Sequence, residues 1–424
     1  MPYADTLILT AGALTVLAVL AYASAGAVGA WRRVAHQGQL RQRANELFDL
    51  RIQAAQRERQ VEDQKSLAWS GWRKFQVRWK RFENEHRDIC SFYLVPHDGK
   101  PIPGFEPGQF LTFRLDVPDQ VKPVVRCYSL SDSPKPDYYR VSIRRLGAPP
   151  GKDVAPGLSS NFFHDLVEED AILDVKAPSG IFHLDAGGKE PVVLIGGGVG
   201  ITPVLSMLNA IVESGSGRET WFFLGAKDAA DHPMKDHLES IAREHSNVHL
   251  HVCYSRAREG TDVLDRDYHT AGFVSVELMK KLLPSNNYRY YFCGPPVMMT
   301  ALEKDLEAWG VPKEQIHFEK FGPGPKAAPP PTAAAASDEP GIEVSFSKSG
   351  RKLSWSPAAG TLLDLARANG IAIDSGCEQG NCGTCQTAIR TGEVKYMSEP
   401  AFEYEQGTCL VCVCQPTSPL ELNA

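Results

Sequence analysis

The sequence predicts a multidomain chain: an N-terminal transmembrane helix, an antiparallel β-barrel, an α/β domain on a parallel sheet, and a small C-terminal α+β domain. Three observations predict it. The chain opens with 25 residues that carry no charge after residue 5, short strand-like runs give way near residue 190 to alternating strands and helices, and six of the ten cysteines fall in the last 48 residues. A length of 424 residues has room for about three domains. The net charge of -6 gives no overall electrostatic footprint for nucleic acid, so none is expected as a partner.

The first element is "TLILTAGALTVLAVLAYASAGAVGA", residues 6–30, long enough to span a bilayer core. Arg32 and Arg33 follow at once, and the first five residues lack the basic flank of a signal peptide. Residues 31–90 hold 14 Lys and Arg against 8 Asp and Glu, an excess that marks the cytoplasmic side. The expectation is a single-pass anchor in the cytoplasmic (inner) membrane, with the lipid bilayer as partner of residues 6–30 and the remaining domains in the cytoplasm. Residues 31–69 form a basic juxtamembrane segment rich in helix formers, with Leu40, Leu47, Ala54 and Val61 at every seventh position.

Over 70–186, runs such as "CSFYLVP", "QFLTFRLDV", "VVRCYSL" and "YYRVSIRRL" have the length and spacing of an antiparallel barrel. Over 187–321, "PVVLIGG", "TWFFLGA", "VHLHVCYS" and "YRYYFCG" alternate with helical segments, the pattern of a parallel sheet covered on both faces. Residues 322–341 are rich in Pro and Ala and read as a linker. Residues 342–424 open with a hairpin pattern, continue with the short helix "TLLDLARANG", and end in the cysteine-rich segment.

Four motifs carry chemistry. In "RCYSLSD", Arg126, Tyr128 and Ser129 supply in order what a flavin needs, a cation for its phosphates, a flat partner for its ring and a donor for its reactive nitrogen, with Cys127 between them in the same cofactor-binding segment. "GLSS" (Gly157, Leu158, Ser159, Ser160) reads as a helix start that aims free N–H groups at a pyrophosphate. "GGGVGITP" follows an apolar strand and opens a helix, so Gly198, Val199, Gly200, Ile201, Thr202 and Pro203 suit nucleotide phosphates. "CGPPVMM" (Cys293, Gly294, Pro295 onward) stands after the last strand of the same unit, at the edge where nucleotides bind in such sheets.

The fourth motif is "CEQGNCGTC". Cys377, Cys382 and Cys385 follow C-x4-C-x2-C, the plant-type 2Fe–2S spacing, and zinc sites with two separated C-x2-C pairs fit it less well. Gly376, Gly380 and Gly383 suit a loop wrapped around a cluster. The fourth ligand comes from Cys409, Cys412 or Cys414. With "CLVCVCQ" taken as a strand, Cys412 and Cys414 share a face, and the plant-type spacing selects Cys412.

These motifs, in this order, resemble the ferredoxin–NADP reductase superfamily over residues 72–322, and the tail from 341 resembles a plant-type ferredoxin of β-grasp fold. "CEQGNCGTC" is similar to the phthalate dioxygenase reductase branch, and "GLSSNFFHD" to plant-type reductases and the flavohaemoglobin reductase half, which hold FAD. The resemblance implies FAD, a 2Fe–2S cluster, and NADH or NADPH as donor. It implies that Ser142, Ile143 and Arg144 belong to a second flavin strand, that Cys293 and Gly294 lie beside the nicotinamide, and that Ser255 and Arg256 stand where some relatives hold a 2'-phosphate. "HFEKFG" resembles the family's terminal Glu-x-Phe, with Phe321 shielding the flavin and Glu319 a polar partner. Ser129, Cys293, Glu319 and Phe321 are the residues expected at the reacting centre. Cys412 stands four residues before Pro416, as the last ligand does in the ferredoxin pattern.

The implied function is that of an enzyme, an NAD(P)H:acceptor oxidoreductase. A flavin exchanges electrons in pairs or singly, so it links a hydride donor to a one-electron cluster. The expected partner is an electron-accepting metalloenzyme at the membrane, such as an oxygenase or desaturase. A quinone or ferric reductase and a redox sensor or assembly scaffold are the alternatives. No globin pattern precedes the reductase motifs, so nitric oxide dioxygenase activity is not implied.

Overall fold

The computed structural model describes Tyr22, Ser24, Phe48 and residues 67–69, 71–121, 123–148, 156–321 and 341–424, the last range without Gln379, Asn381, Ser398, Glu399, Ala401 and Glu403. The chain divides into two compact units, Met1–Leu67 and Ala68–Ala424. In the first, Tyr22, Ser24, Phe48 and Leu67 are described, each in helical conformation. The rest of the expected span over 6–30, and the heptad positions Leu40, Leu47, Ala54 and Val61, lie outside the described residues, as does the expected linker up to Gly341. The expected localisation is corrected: among the described residues no helix is long and apolar enough to cross a membrane. The assignment to the inner membrane is therefore not retained.

The second unit begins with β1 (Arg73–Phe82), β2 (Ile89–Pro96), β3 (Phe110–Leu115), β4 (Val124–Ser129), β5 (Tyr139–Arg144) and β6 (Ile172–Val175). They form one antiparallel sheet in the order β4-β3-β6-β1-β2-β5. A bridge between Leu130 and Val141 joins its two ends. Alternation along β1 sets the faces: Phe75 and Val77 are buried, and Lys74 and Arg78 are exposed. Helix α1 (Leu158–Asp165) packs Phe163 into this core, its ring 5.2 Å from those of Phe92 and Tyr128.

A parallel sheet follows. Its elements are β7 (Val192–Gly197), α2 (Ile201–Ser214), β8 (Thr220–Ala226), α3 (Lys235–Glu244), β9 (Val248–Tyr254), β10 (Thr270–Ala271), α4 (Val276–Leu282), β11 (Arg289–Cys293), α5 (Pro296–Ala308) and β12 (Ile316–Glu319). The order is β10-β9-β8-β7-β11-β12. Every residue of β7 is buried, as expected of a strand covered on both faces. Val192 and Leu194 pack with Leu205 and Phe222 on one side; Val193 and Ile195 pack with Phe292 and Met299 on the other. Strand order reverses between β7 and β11, so the crevice at their carboxyl ends is the switch point where ligands bind in such folds.

The C-terminal part holds β13 (Ile342–Phe346), β14 (Arg351–Trp355), α6 (Leu362–Ala368), β15 (Gln386–Thr391), β16 (Val394–Tyr396), β17 (Thr408–Leu410), β18 (Cys414–Pro416) and β19 (Leu420–Leu422). Five strands form a sheet in the order β14-β13-β19-β15-β17, with β16 and β18 as a separate ribbon. Thr361 caps α6: its hydroxyl accepts from the Asp364 N–H at 3.1 Å, and Asp364 accepts from the Thr361 N–H at 2.9 Å. The expectation of one strand through "CLVCVCQ" is corrected. The chain turns at residues 411–413, between β17 and β18, because β17 pairs with β15 while β18 pairs with β16.

Candidate active site

The pairing of β3 with β4 sorts the "RCYS" residues. Tyr128 lies opposite Leu111 and Arg126 opposite Phe113, whereas Cys127 lies opposite Thr112 and Ser129 opposite Phe110. Tyr128 is held in place: its hydroxyl donates to Ser159 Oγ at 3.0 Å, and its ring meets Phe113 and Phe163 edge-on. Burial pushes its phenol up to about 12, so it stays neutral. The exposed Arg126 guanidinium donates to the Val125 carbonyl at 2.7 Å and, among the described residues, meets no carboxylate. Helix α1 starts after Gly157 with no side chain capping its first turn. An exposed cation and a helix start with uncapped N–H groups are each suited to a pyrophosphate.

Ser129 reaches across to the nucleotide domain and donates to Glu319 Oε2 at 3.3 Å. Glu319 ends β12, in register with Cys293 at the end of β11. Burial raises the Glu319 carboxyl to about 8, with the Ser129 hydrogen bond opposing it, so near neutral pH this acid holds its proton. Burial and then Glu319 raise the Cys293 thiol well above its ordinary value, leaving an uncharged sulfur. Phe321 is exposed two residues beyond Glu319.

Gly198–Gly200 form a short 3-10 turn that runs into α2, again with no side-chain cap. A Cβ on Gly200 would run into the Cys293 carbonyl, and one on Gly197 would lie 2.7 Å from Pro295 Cδ, so only glycine lets the two turns meet. Thr202 is buried and donates to the Val199 carbonyl at 3.1 Å. Ser255 and Arg256 follow β9; their N–H groups bond the Ala226 and Lys227 carbonyls, and the Arg256 side chain is exposed. The β5 side chains have partners within the protein, and Arg144 also borders the glycine turn, where a Cβ on Gly198 would lie 3.3 Å from its Nη1. Ser142 Oγ lies 2.6 Å from Ser91 Oγ and 2.8 Å from Ser131 Oγ, Ile143 is core, and Arg144 pairs with Asp88 and Asp231.

Sequence reasoning missed these partners. Arg144–Asp231 ties the barrel to the nucleotide domain. So does Asp132, which accepts from Ser206 Oγ at 2.6 Å through its carbonyl and from Asn209 Nδ2 at 2.8 Å through its carboxylate. The position of Asp132 directly after "RCYSLS" was the one available signal.

In the cysteine loop, Cys377 N–H donates to Cys382 Sγ at 3.3 Å, and Cys385 Sγ lies 3.1 Å from Cys412 Sγ. Among the described residues no group of three or more His, Cys, Asp or Glu side chains closes on one metal-ion position. Two pairs, Cys377 with Cys382 and Cys385 with Cys412, are what a two-iron cluster needs, each iron taking two thiolates. Gly380 and Gly383 have φ of +74° and +66°, and a Cβ on Gly383 would strike the Phe402 ring. Cys409 and Cys414 are fully buried in the small core. The cysteine loop also meets the barrel: a Cβ on Gly376 would lie 3.4 Å from Val125 Cγ1 of β4.

Comparison with known proteins agrees with this geometry. Residues 194–304 match the oxidoreductase NAD-binding domain family, and residues 346–417 match the 2Fe-2S iron-sulfur cluster binding domain family. The flavohemoprotein of Halalkalibacterium halodurans is 37% identical over 267 residues, covering 63% of this chain and 64% of the relative. The chain thus spans just under two thirds of that curated relative. The FAD/NAD-binding domain of a nitric oxide dioxygenase from Vibrio cholerae is 30% identical, matching 60% of this chain and 100% of that one, with a TM-score of 0.53. Phthalate dioxygenase reductase, described as modular and transferring electrons from pyridine nucleotides to [2Fe-2S], is 28% identical, matching 84% and 98% of the two chains, with a TM-score of 0.51. Fold and site define a reductase of flavin and pyridine nucleotide joined to a 2Fe–2S domain. The chain belongs to the ferredoxin reductase-type NAD(P)H oxidoreductases, with FAD and a 2Fe–2S cluster as cofactors.

Proposed function

We propose that the chain draws electron pairs from NAD(P)H and delivers them singly, through its own 2Fe–2S domain, to a separate metalloenzyme such as an oxygenase or desaturase. When bound, FAD accepts hydride and the cluster accepts single electrons. The residues of the chain arrange this. Tyr128, fixed by Ser159, offers a neutral ring, and Ser129, Glu319 and Cys293 form an uncharged polar surface where the two domains meet. A neutral surface suits hydride transfer, because a fixed charge there would favour one side of the exchange. The glycine turn at Gly198–Gly200 offers N–H groups to the phosphates of the nucleotide.

One observation carries the proposal: β4 meets both the nucleotide domain, through Ser129 and Glu319, and the cysteine loop, where a Cβ on Gly376 would lie 3.4 Å from Val125 Cγ1. The likeness to phthalate dioxygenase reductase supports an oxygenase-type acceptor. The test is steady-state reduction of a one-electron protein acceptor by NADH and NADPH. Wild type should turn over; Cys412→Ser should lose at least tenfold in rate while NAD(P)H still bleaches its flavin. Equal rates in the two proteins would mean that electrons leave from the flavin directly.

A further inference from the structure

The segment "RCYSLSD" ends on Asp132, three positions beyond Ser129, and that residue is buried. Its carbonyl accepts from Ser206 Oγ at 2.6 Å, and its carboxylate accepts from Asn209 Nδ2 at 2.8 Å. Both donors belong to α2 and are buried; three positions apart, they share one face of the helix. On the barrel side, Tyr138 donates to Asp132 Oδ2 at 2.9 Å, and Arg140 Nη1 lies 3.5 Å from the same oxygen. Burial opposes the charge, but Arg140, Tyr138 and Asn209 hold the carboxyl below its ordinary value, so it accepts at neutral pH. Behind Asn209 stands His237 of α3, with Nε2 2.8 Å from Asn209 Oδ1. With the amide oxygen taken by His237, the amide nitrogen faces Asp132.

This clamp joins two parts of the site. Helix α2 begins at the glycine turn Gly198–Gly200, which offers its N–H groups to the nucleotide. From Ile201 to Asn209 the helix rises about 12 Å, at about 1.5 Å per residue. Its hydrogen-bonded backbone fixes the distance from the phosphate turn to the clamp. At the other end, Asp132 is three residues from Ser129, the last residue of β4. One helix and one buried carboxylate therefore space the phosphate turn from the flavin strand. Such spacing matters because hydride transfer needs the reacting atoms about 3–3.5 Å apart, and a displacement of about 1 Å can cost about a hundredfold in rate.

We propose that Asp132 is a positioning residue for hydride transfer: by clamping Ser206 and Asn209 it sets where α2, and with it the glycine turn, stands against the flavin strand. The nicotinamide is thereby brought to the flavin ring at reacting distance. Asp132 acts through the helix and not on the reacting atoms. The inference rests on the hydride step of the reading above and is independent of where the electrons go afterwards.

The test is anaerobic stopped-flow reduction of the bound flavin in the full chain, by the faster of NADH and NADPH, at a temperature well below melting. Asn209→Ala and Ser206→Ala each remove one donor and leave a good helix former in α2. Each should lower the limiting rate of flavin bleaching at least tenfold. The nucleotide concentration at half-saturation and the flavin-to-protein ratio should stay near wild type. The long-wavelength charge-transfer absorbance of stacked nicotinamide and flavin should fall together with the rate, a signature that lost stability alone does not produce. If Asn209→Ala holds no flavin, Ser206→Ala decides. An unchanged limiting rate would overturn the inference. So would a fall in rate matched by an equal loss of nucleotide affinity, which would assign the effect to binding. A wild-type flavin that neither nucleotide bleaches would instead overturn the hydride step itself.

Discussion

Ser129, the last residue of β4, donates a hydrogen bond to Glu319, the last residue of β12, at 3.3 Å. The two belong to different domains and are 190 positions apart. Their contact joins the end of β4 to the carboxyl edge of the nucleotide sheet, and it buries the acid between the two domains.

That acid gives a pH prediction. The folded-state value for Glu319 is about 8, against an ordinary 4.5. Folding therefore favours the protonated form. The contribution of this group to stability is full below about 4.5, declines as pH rises, and is lost above about 8. Glu319→Gln cannot ionise, so its melting temperature should fall less than that of wild type between pH 5 and 9. Parallel melting curves across that range would remove Glu319 from the account.

Arg126→Ala should strip flavin from the protein. The side chain is exposed, with a backbone carbonyl as its described partner, so its charge is available to a phosphate pair. Losing a charge-assisted pair of hydrogen bonds costs about 1.5–3 kcal/mol, a tenfold to hundredfold weaker affinity. The flavin-to-protein ratio after gel filtration measures it, and full occupancy would count against the assignment.

Donor preference turns on Arg256. It stands exposed after β9, at the carboxyl edge of the sheet. A role in holding a 2'-phosphate predicts that Arg256→Ala raises the KM for NADPH at least tenfold and leaves that for NADH. Steady-state kinetics with both nucleotides decide the point, and equal changes for the two would exclude such a role.

The fourth cluster ligand is tested by replacement. Cys412→Ser should lose or strongly perturb the visible absorbance of the cluster, whereas Cys409→Ser and Cys414→Ser should keep it. Cys412 lies in the turn with its sulfur 3.1 Å from that of Cys385. Loss in Cys414→Ser with retention in Cys412→Ser would reverse the choice.

How far these features were legible in the sequence depends on range. Strand and helix patterns come from local periodicity, so β7, α2 and the C-x4-C-x2-C loop stood out at once. Cys412 was chosen partly on a strand that does not exist. Sequence alternation cannot show that β17 and β18 pair with different strands, which forces the turn that holds Cys412. The Arg144–Asp231 and Ser129–Glu319 contacts join residues far apart in the chain, and no local pattern encodes them. Ser142 fitted a family pattern, but its hydroxyl is bound in a serine network that only the closed barrel creates.

The central claim is that electrons from NAD(P)H reach the cluster through the flavin. Anaerobic rapid mixing of the full chain with NADH or NADPH, followed by freezing at intervals, tests it most directly. Flavin absorbance should bleach first, and the paramagnetic signal of a reduced 2Fe–2S cluster should then grow within a single turnover. A flavin that stays reduced while the cluster remains oxidised, in protein that still reduces an external acceptor, would contradict the account.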